Sequence, residues 1–211
     1  MKTIKFLALL CYCVTQAQQN DSKIELKNVN ELRFYERFVI EAGMRVPFGK
    51  LADKMGTSPE AGLWFRSRLR NDDMLDVGGT VCIPTDTNEF DYKSHGQTYK
   101  VSPSGVSGMG GVRFCKVYKL ESFKYKKSVE WISGFGYAYF MYRDSYAVNT
   151  PSENTSHKAL STFYIGQGLR LNIDNVGFQI NYHYTPYGQF SSHVPSDFGA
   201  HSLSLGIVYR Q

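Results

Sequence analysis

The residues able to do chemistry in this chain are mostly arginines and carboxylates at alternate positions. Glu41, Arg45, Arg66, Arg68, Arg70, Asp76, Arg113, Glu130, Arg170 and Arg210 all lie in segments that alternate apolar with polar. Guanidinium and carboxylate groups form short, charge-assisted and often bidentate hydrogen bonds. Enclosed together, they must be paired. Arginines outnumber acids here, so some belong near water. Other candidates carry less. His193, Asp197 and His201 recur at every fourth residue, which on a helix would make a metal-binding face. Pro195 and Gly199 interrupt that stretch, so it reads as a loop running into a strand, and no metal site is assigned. The glycine-rich run 105–111, GVSGMGG, is followed by no helix and has no lysine in a phosphate-loop position. It reads as a strand start with close backbone approach. No cofactor site emerges.

The charged positions depend on strands. The clearest is 176–184, VGFQINYHY, where Val176, Phe178, Ile180, Tyr182 and Tyr184 share one face. Gly177, Gln179, Asn181 and His183 share the other, a strict period of two. Seven more segments alternate in the same way, at about 37–48, 61–70, 74–84, 107–118, 128–142, 159–171 and 201–210. In each, large apolar residues lie opposite glycines and charges. In the sixth of the eight segments Gln167 falls on the apolar face, which reads as a bulge. Connections after the second and sixth segments are very short, the latter a polar turn at 172–175. Those at 49–60, 85–106, 143–158 and 185–200 are long and polar. Long loops at one end and short turns at the other is the habit of transmembrane barrels.

The first residues read as a targeting segment. Lys2 and Lys5 precede the short apolar run 6–14, FLALLCYCV, and Thr15-Gln16-Ala17 offers a cleavage site before Gln18. The reading is a signal peptide at 1–17, a polar lead at 18–36 and one barrel domain at 37–211. Removing Lys2 and Lys5 takes the formal net charge from +5 to +3, with no basic block, which argues against nucleic-acid binding. Cys82 and Cys115 remain, too few for a disulfide framework. A simple register about the 85–106 connection leaves them several residues apart, so they read as free thiols. No later run is long and apolar enough for a membrane helix, so a membrane protein of this composition must be a barrel.

Which face sees oil decides the class. Eight strands enclose an interior just wide enough for packed side chains. All the Phe, Trp and Tyr side chains of the apolar stripes would not fit there. Charges and glycines inside with aromatics outside fits better. The reading is an all-β, eight-stranded, antiparallel up-and-down transmembrane barrel, with Glu41, Arg45, Arg66, Arg68, Asp76, Arg113, Glu130 and Arg170 as its lumen network.

On strand pattern, loop asymmetry and the closing HSLSLGIVYRQ, the chain resembles the small outer-membrane β-barrel proteins of Gram-negative bacteria. This is the eight-stranded class that includes the OmpA transmembrane domain and its OmpX-like relatives. The resemblance covers about 37–211. It implies residence in the outer membrane, contact with outer-membrane lipid, and recognition of the last strand by the barrel-insertion machinery. That class usually ends in an aromatic residue; Gln211 stands there, with Tyr209 two residues before it. The expected role is structural or interactive, through surface loops or within a secretion or uptake assembly, toward an extracellular or envelope partner the sequence does not name. Two alternatives stand beside it. One is a lipid-modifying enzyme, since His183 and Thr185 are similar to the His-x-Ser of lipid A deacylase barrels. Parity sends both to the lumen, which favours a hydrogen-bonding role and no catalysis. The other is a soluble periplasmic, lipocalin-like binding barrel.

Overall fold

The computed structural model describes residues 37–69, 72–83, 88–94, 96–103, 106–120, 127–144 and 157–210. The segment read as a signal peptide, 1–17, the segment read as a lead, 18–36, and Arg70, Gly105 and Gln211 lie outside the described residues. The described residues form ten strands: β1 (Arg37–Phe48), β2 (Ser58–Arg68), β3 (Met74–Cys82), β4 (Phe90–Ser94), β5 (Gln97–Pro103), β6 (Ser107–Leu120), β7 (Lys127–Asp144), β8 (His157–Ile173), β9 (Val176–Tyr184) and β10 (His201–Arg210). Eight of them close into an antiparallel ring in the order β1, β2, β3, β6, β7, β8, β9, β10, with β10 pairing back onto β1. Closure leaves the ring without an unpaired edge. No described helix is long and apolar enough to cross a membrane.

Each wall strand follows its alternation. In β9, Gly177, Gln179, Asn181 and His183 point inward and are enclosed, while Val176, Phe178 and Ile180 are exposed outward. The short connections use left-handed backbone where sequence permits it: Asp72 has φ 65° and Asp174 φ 53°. Aspartate tolerates that region better than most residues.

Four expectations are corrected. The 85–106 connection holds a hairpin, β4–β5, which extends the sheet by pairing Val101 with Asp144 and Pro103 with Tyr142. Phe90 and Tyr92 alternate with Asp91 and Lys93, and Gly96 at φ 78° supplies the turn. Next, β2 begins at Ser58, three residues early, because Pro59 fits a strand start. That brings Glu60 into the wall. Third, there is no bulge at Gln167: the β7–β8 register runs unbroken from Lys127↔Ile173 to Arg143↔His157. Finally, the 185–200 connection contains a helical turn, Tyr187–Phe190.

Glycine decides how closely the staves approach. A Cβ on Gly62 would lie 2.9 Å from the Thr80 methyl and 3.1 Å from the Glu41 carboxylate, so bare backbone there makes room for lumen side chains. A Cβ on Gly43 would overlap the Leu205 carbonyl oxygen and the Gly206 Cα, both backbone. Gly110 is different, with its nearest neighbour 3.5 Å away. Gly43→Ala is therefore expected to destabilise the barrel by about 1–3 kcal/mol, as overpacking does, while Gly110→Ala leaves the urea midpoint unchanged. Equal midpoints for the two variants would contradict the close approach at Gly43.

Candidate functional site

The lumen has two levels of charge and a lid. The lower level is built around three buried carboxylates. Asp76 on β3 takes a bidentate pair from Arg66 on β2, with Nε to Oδ1 at 2.6 Å and Nη2 to Oδ2 at 2.8 Å. The two residues are direct cross-strand partners, which makes the geometry possible. Glu130 on β7 accepts from Arg66 at 2.9 and 3.0 Å, from Arg170 at 2.9 Å, from Asn172 at 2.9 Å and from Arg210 at 3.1 Å. Glu41 on β1 accepts from Arg113 at 2.7 Å and Arg170 at 2.8 Å. Arg170 is completed by Gln179, whose Oε1 accepts at 2.9 and 3.1 Å. The Arg113 guanidinium carbon also lies 3.6 Å from the centre of the Trp64 ring, a cation–π contact inside the barrel. Val39, Trp64 and Val208 pack as a small apolar cluster at this level.

The upper level is smaller. Arg45 on β1 meets Glu60 at 2.5 Å and Thr80 Oγ1 at 2.9 Å. Ser204 donates to Glu60 and lies 3.2 Å from His183 Nε2. Near this level, Asn181, His183 Nδ1 and the Tyr164 hydroxyl are buried with no protein partner among the described residues.

Of the eight lumen residues expected, Glu41, Arg66, Asp76, Arg113, Glu130 and Arg170 converge in one network. Arg45 belongs to the separate upper pair. Arg68 does not join either: it lies at the short-turn end, half-exposed, and pairs with Asp72. Its parity is inward, but as the last residue of β2 it lies beyond the enclosed region. Sequence reasoning missed Glu60, left in a loop by the late strand start. It also assigned no role to Gln179, Asn172 and Trp64, although period-two counting places Gln179 and Trp64 inside.

Above the charges, described parts of three long connections fold over the barrel mouth. Leu51 and Met55 from the β1–β2 connection, Phe90 from the hairpin and Phe198 from the β9–β10 connection pack on Phe140 and Tyr187 as one buried cluster. Phe90 and Phe198 meet edge to face at 5.0 Å. Burial pushes the Tyr187 phenol well above its ordinary pKa. The lid is latched at its rim. His193 stacks on Tyr92 at 5.0 Å, and Lys93 donates its backbone N–H to His193 at 2.7 Å. Lys50 pairs with Asp197 and, by that hydrogen bond, holds its carboxyl below the usual range. Lys100 does the same to Asp91. His193, Asp197 and His201 are thus dispersed; His201 stacks instead on Phe48 and Tyr182 on the outer face. A cavity of about 10 Å³ remains between Arg45, Leu51, Ser107 and Tyr187, volume for about one water.

His183 and Thr185 are buried in the lumen, and the Thr185 hydroxyl donates to the Ala200 carbonyl at 3.4 Å. Neither reaches the outer face, as a lipid-directed pair would have to. Cys82 and Cys115 are buried free thiols on different strands; Cys115 donates to Asp76 at 3.4 Å.

Glu130 is the residue on which this arrangement turns. Glu130→Ala is expected to lower stability by roughly 3–5 kcal/mol, because three guanidinium groups lose their shared partner. Arg68→Ala, which removes only an exposed pair, is expected to leave the urea midpoint in place. An unchanged midpoint for Glu130→Ala would remove it from the network.

No protein-family model matches this chain, and no curated protein matches it. Among solved structures it is similar to Ail, the attachment invasion locus protein of Yersinia pestis, in complex with the heparin analogue sucrose octasulfate. The identity is 13%, covering 83% of this chain and 97% of that one, with a TM-score of 0.38. It is also similar to the N-terminal β-barrel domain of Pseudomonas aeruginosa OprF, at 12% identity, the same coverage and a TM-score of 0.38. At that level neither likeness bears on what this chain binds.

Proposed function

We propose that this chain is an integral outer-membrane protein whose barrel is sealed and whose ordered lid serves as an interaction surface outside the cell. The observation that carries the reading is the inversion of the barrel. Phe38, Leu63, Trp131, Phe135, Phe178 and Ile207 are each about half exposed on the outer face, while Glu130, Arg170 and Asp76 are fully enclosed. A barrel in water would place these the other way round, since contiguous apolar surface of this extent is rare on soluble monomers. A lipid bilayer is the solvent that suits the outer face. Aromatic residues also mark its two ends: Phe38, Tyr118, Trp131 and Tyr209 toward the short turns, and Phe48, Tyr137, Phe163 and Tyr184 toward the lid. Girdles at both interfaces are a feature of such barrels.

The lumen supports a role without bulk transport. Ion pairs fill the lower part, and the apolar lid covers the upper mouth. Within this reading, β10 and its Tyr209 are what the insertion machinery meets, and the partner outside the cell docks on the lid. The signal segment 1–17 directs export.

Fractionation tests the location: the native protein is expected in the outer-membrane fraction, extracted by detergent and heat-modifiable on gels. Recovery as a soluble monomer from carbonate-washed periplasm would overturn the reading. Ile180→Arg, on the lipid face, is expected to destabilise the inserted barrel by roughly 2–4 kcal/mol if it meets the bilayer midplane. Asn181→Ser, facing the lumen, is expected to be far milder. Single-channel recording in planar bilayers is expected to show no large stable pore, and a steady porin-like conductance would refute the sealed lumen.

A further inference from the structure

The apolar outer face has one charged corner. From the lid-level aromatics down to the short turns, the outward positions of the eight wall strands carry two charged side chains among the described residues, Lys116 on β6 and Lys127 on β7. They come together because those strands pair. Lys116 lies directly across from Trp131, Tyr118 from Val129 and Leu120 from Lys127. The two lysines therefore flank Tyr118 at the short-turn aromatic level. The four residues from Lys127 to Trp131 set their levels about 13 Å apart along the strand. Neither lysine has a carboxylate partner among the described residues. The acids of the β2–β3 turn are engaged: Asp72 accepts from Arg68 and Lys119, and Asp73 Oδ1 from the Val117 backbone N–H at 3.2 Å. The lid differs. Lys50, Lys54, Lys93 and Lys100 are matched there by Asp53, Glu89, Asp91 and Asp197, and Lys50 and Lys100 are paired.

A lysine whose stem lies on apolar surface carries its ammonium to the polar boundary. On a lipid-facing wall, that boundary is the layer of headgroups. A zwitterionic headgroup holds its own cation beside the phosphate, which offsets the attraction. An anionic phospholipid has no such cation, and each lysine near it adds to the binding. Here two ammonium groups on flexible four-carbon stems reach toward one short stretch of wall. Tyr118, half exposed between them, offers a hydroxyl donor. Trp131 offers none, because its indole N–H is given to Gln167. Its ring sets the depth of the corner, as aromatics at a membrane boundary do.

We propose that the short-turn corner of β6 and β7 binds an anionic phospholipid in the leaflet away from the lid. Lys116 and Lys127 donate to its phosphate from either side, with the Tyr118 hydroxyl between them. The proposal rests on the membrane reading above. It does not depend on the lid or on what the lid binds.

The chain supplies its own reporter. It has two tryptophans: Trp64 is enclosed in the lumen, and Trp131 stands on the outer face across from Lys116. Tryptophan fluorescence is recorded in vesicles of equimolar phosphatidylcholine and phosphatidylglycerol, with acyl-chain bromine carried by one lipid or the other. Heat-modifiability is measured in parallel to report insertion. In wild type, phosphatidylglycerol is expected to occupy the Trp131 site about fivefold more readily than phosphatidylcholine, and high salt to narrow the difference. The double variant Lys116→Gln, Lys127→Gln is expected to insert normally and to show no preference, with Lys100→Gln on the lid unchanged. Inserted wild type quenched equally by the two lipids would overturn the site and leave the membrane reading intact. So would a double variant that keeps the wild-type preference, or an equal loss of preference in Lys100→Gln. Absence of quenching by either lipid would overturn both.

Discussion

Everything in this barrel depends on keeping arginines neutralised where water does not reach. Glu130 does the largest share, accepting from Arg66, Arg170, Asn172 and Arg210. Asp76 and Glu41 take the remaining guanidinium faces. A buried ion pair is weak evidence for stability when compared with an apolar core of equal volume. Its role here is different. The interior of a ring whose outer surface is apolar receives few large apolar side chains, Trp64 and Ile132 among them, because parity commits most of them to the outside. The long, multidentate arginines fill the space, and the carboxylates make that filling tolerable. The glycines belong to the same solution: Gly62 and Gly134 leave the volume that Glu41 and Arg113 occupy.

The lid obeys opposite rules. It is made from connections that pass out of the ring and back, and its core is apolar and aromatic, as in a protein surrounded by water. Phe140 and Tyr142 extend inward-facing positions of β7 above the charged levels, and the hairpin packs on them through Phe90. One strand thus serves two environments, carrying Glu130 at one end and Phe140 at the other. The change from charged to apolar lumen lining along β7 marks where the wall ends and the lid begins.

The wall was legible because one face of each strand is nearly uniform. In β9 the alternation is unbroken, and the strand runs over the residues it marks. Parity also placed the inward arginines correctly, since a period of two leaves no third direction for a side chain. It could not say how high each one sits. Arg68 has the same parity as Arg66 but lies beyond the enclosed region. Glu60 was lost to a boundary error of three residues. Gln167 broke the pattern and read as a bulge, whereas Trp131 and Ser133 across the strand accommodate it without any shift of register. The β4–β5 hairpin was written in Phe90 and Tyr92, but the segment is short and sits in a polar stretch. Which residues meet in the lumen depends on ring closure, and no local pattern encodes that.

The separation along the chain of the groups that meet in the lumen has a consequence for how the protein acquires its shape. Arg170 and Glu41 are 129 residues apart, and Arg66 and Glu130 are 64 apart. The strands containing Glu41 and Arg170 are brought together by the seam between the first strand and the last. Such contacts give a high contact order, and the entropy of closing long loops is met before the contacts form. Hairpins can form early and locally, and two of them already pair charge, Arg66 with Asp76 across β2–β3 and Glu130 with Arg170 across β7–β8, but Glu41 meets Arg113 and Arg170 only when the ring is assembled. An open sheet is therefore poorly suited to lipid, and the ring becomes compatible with it only as the seam shuts. Charge neutralisation is complete only on closure, which links the last ion pairs of the lumen to the seam and favours cooperative assembly of this barrel.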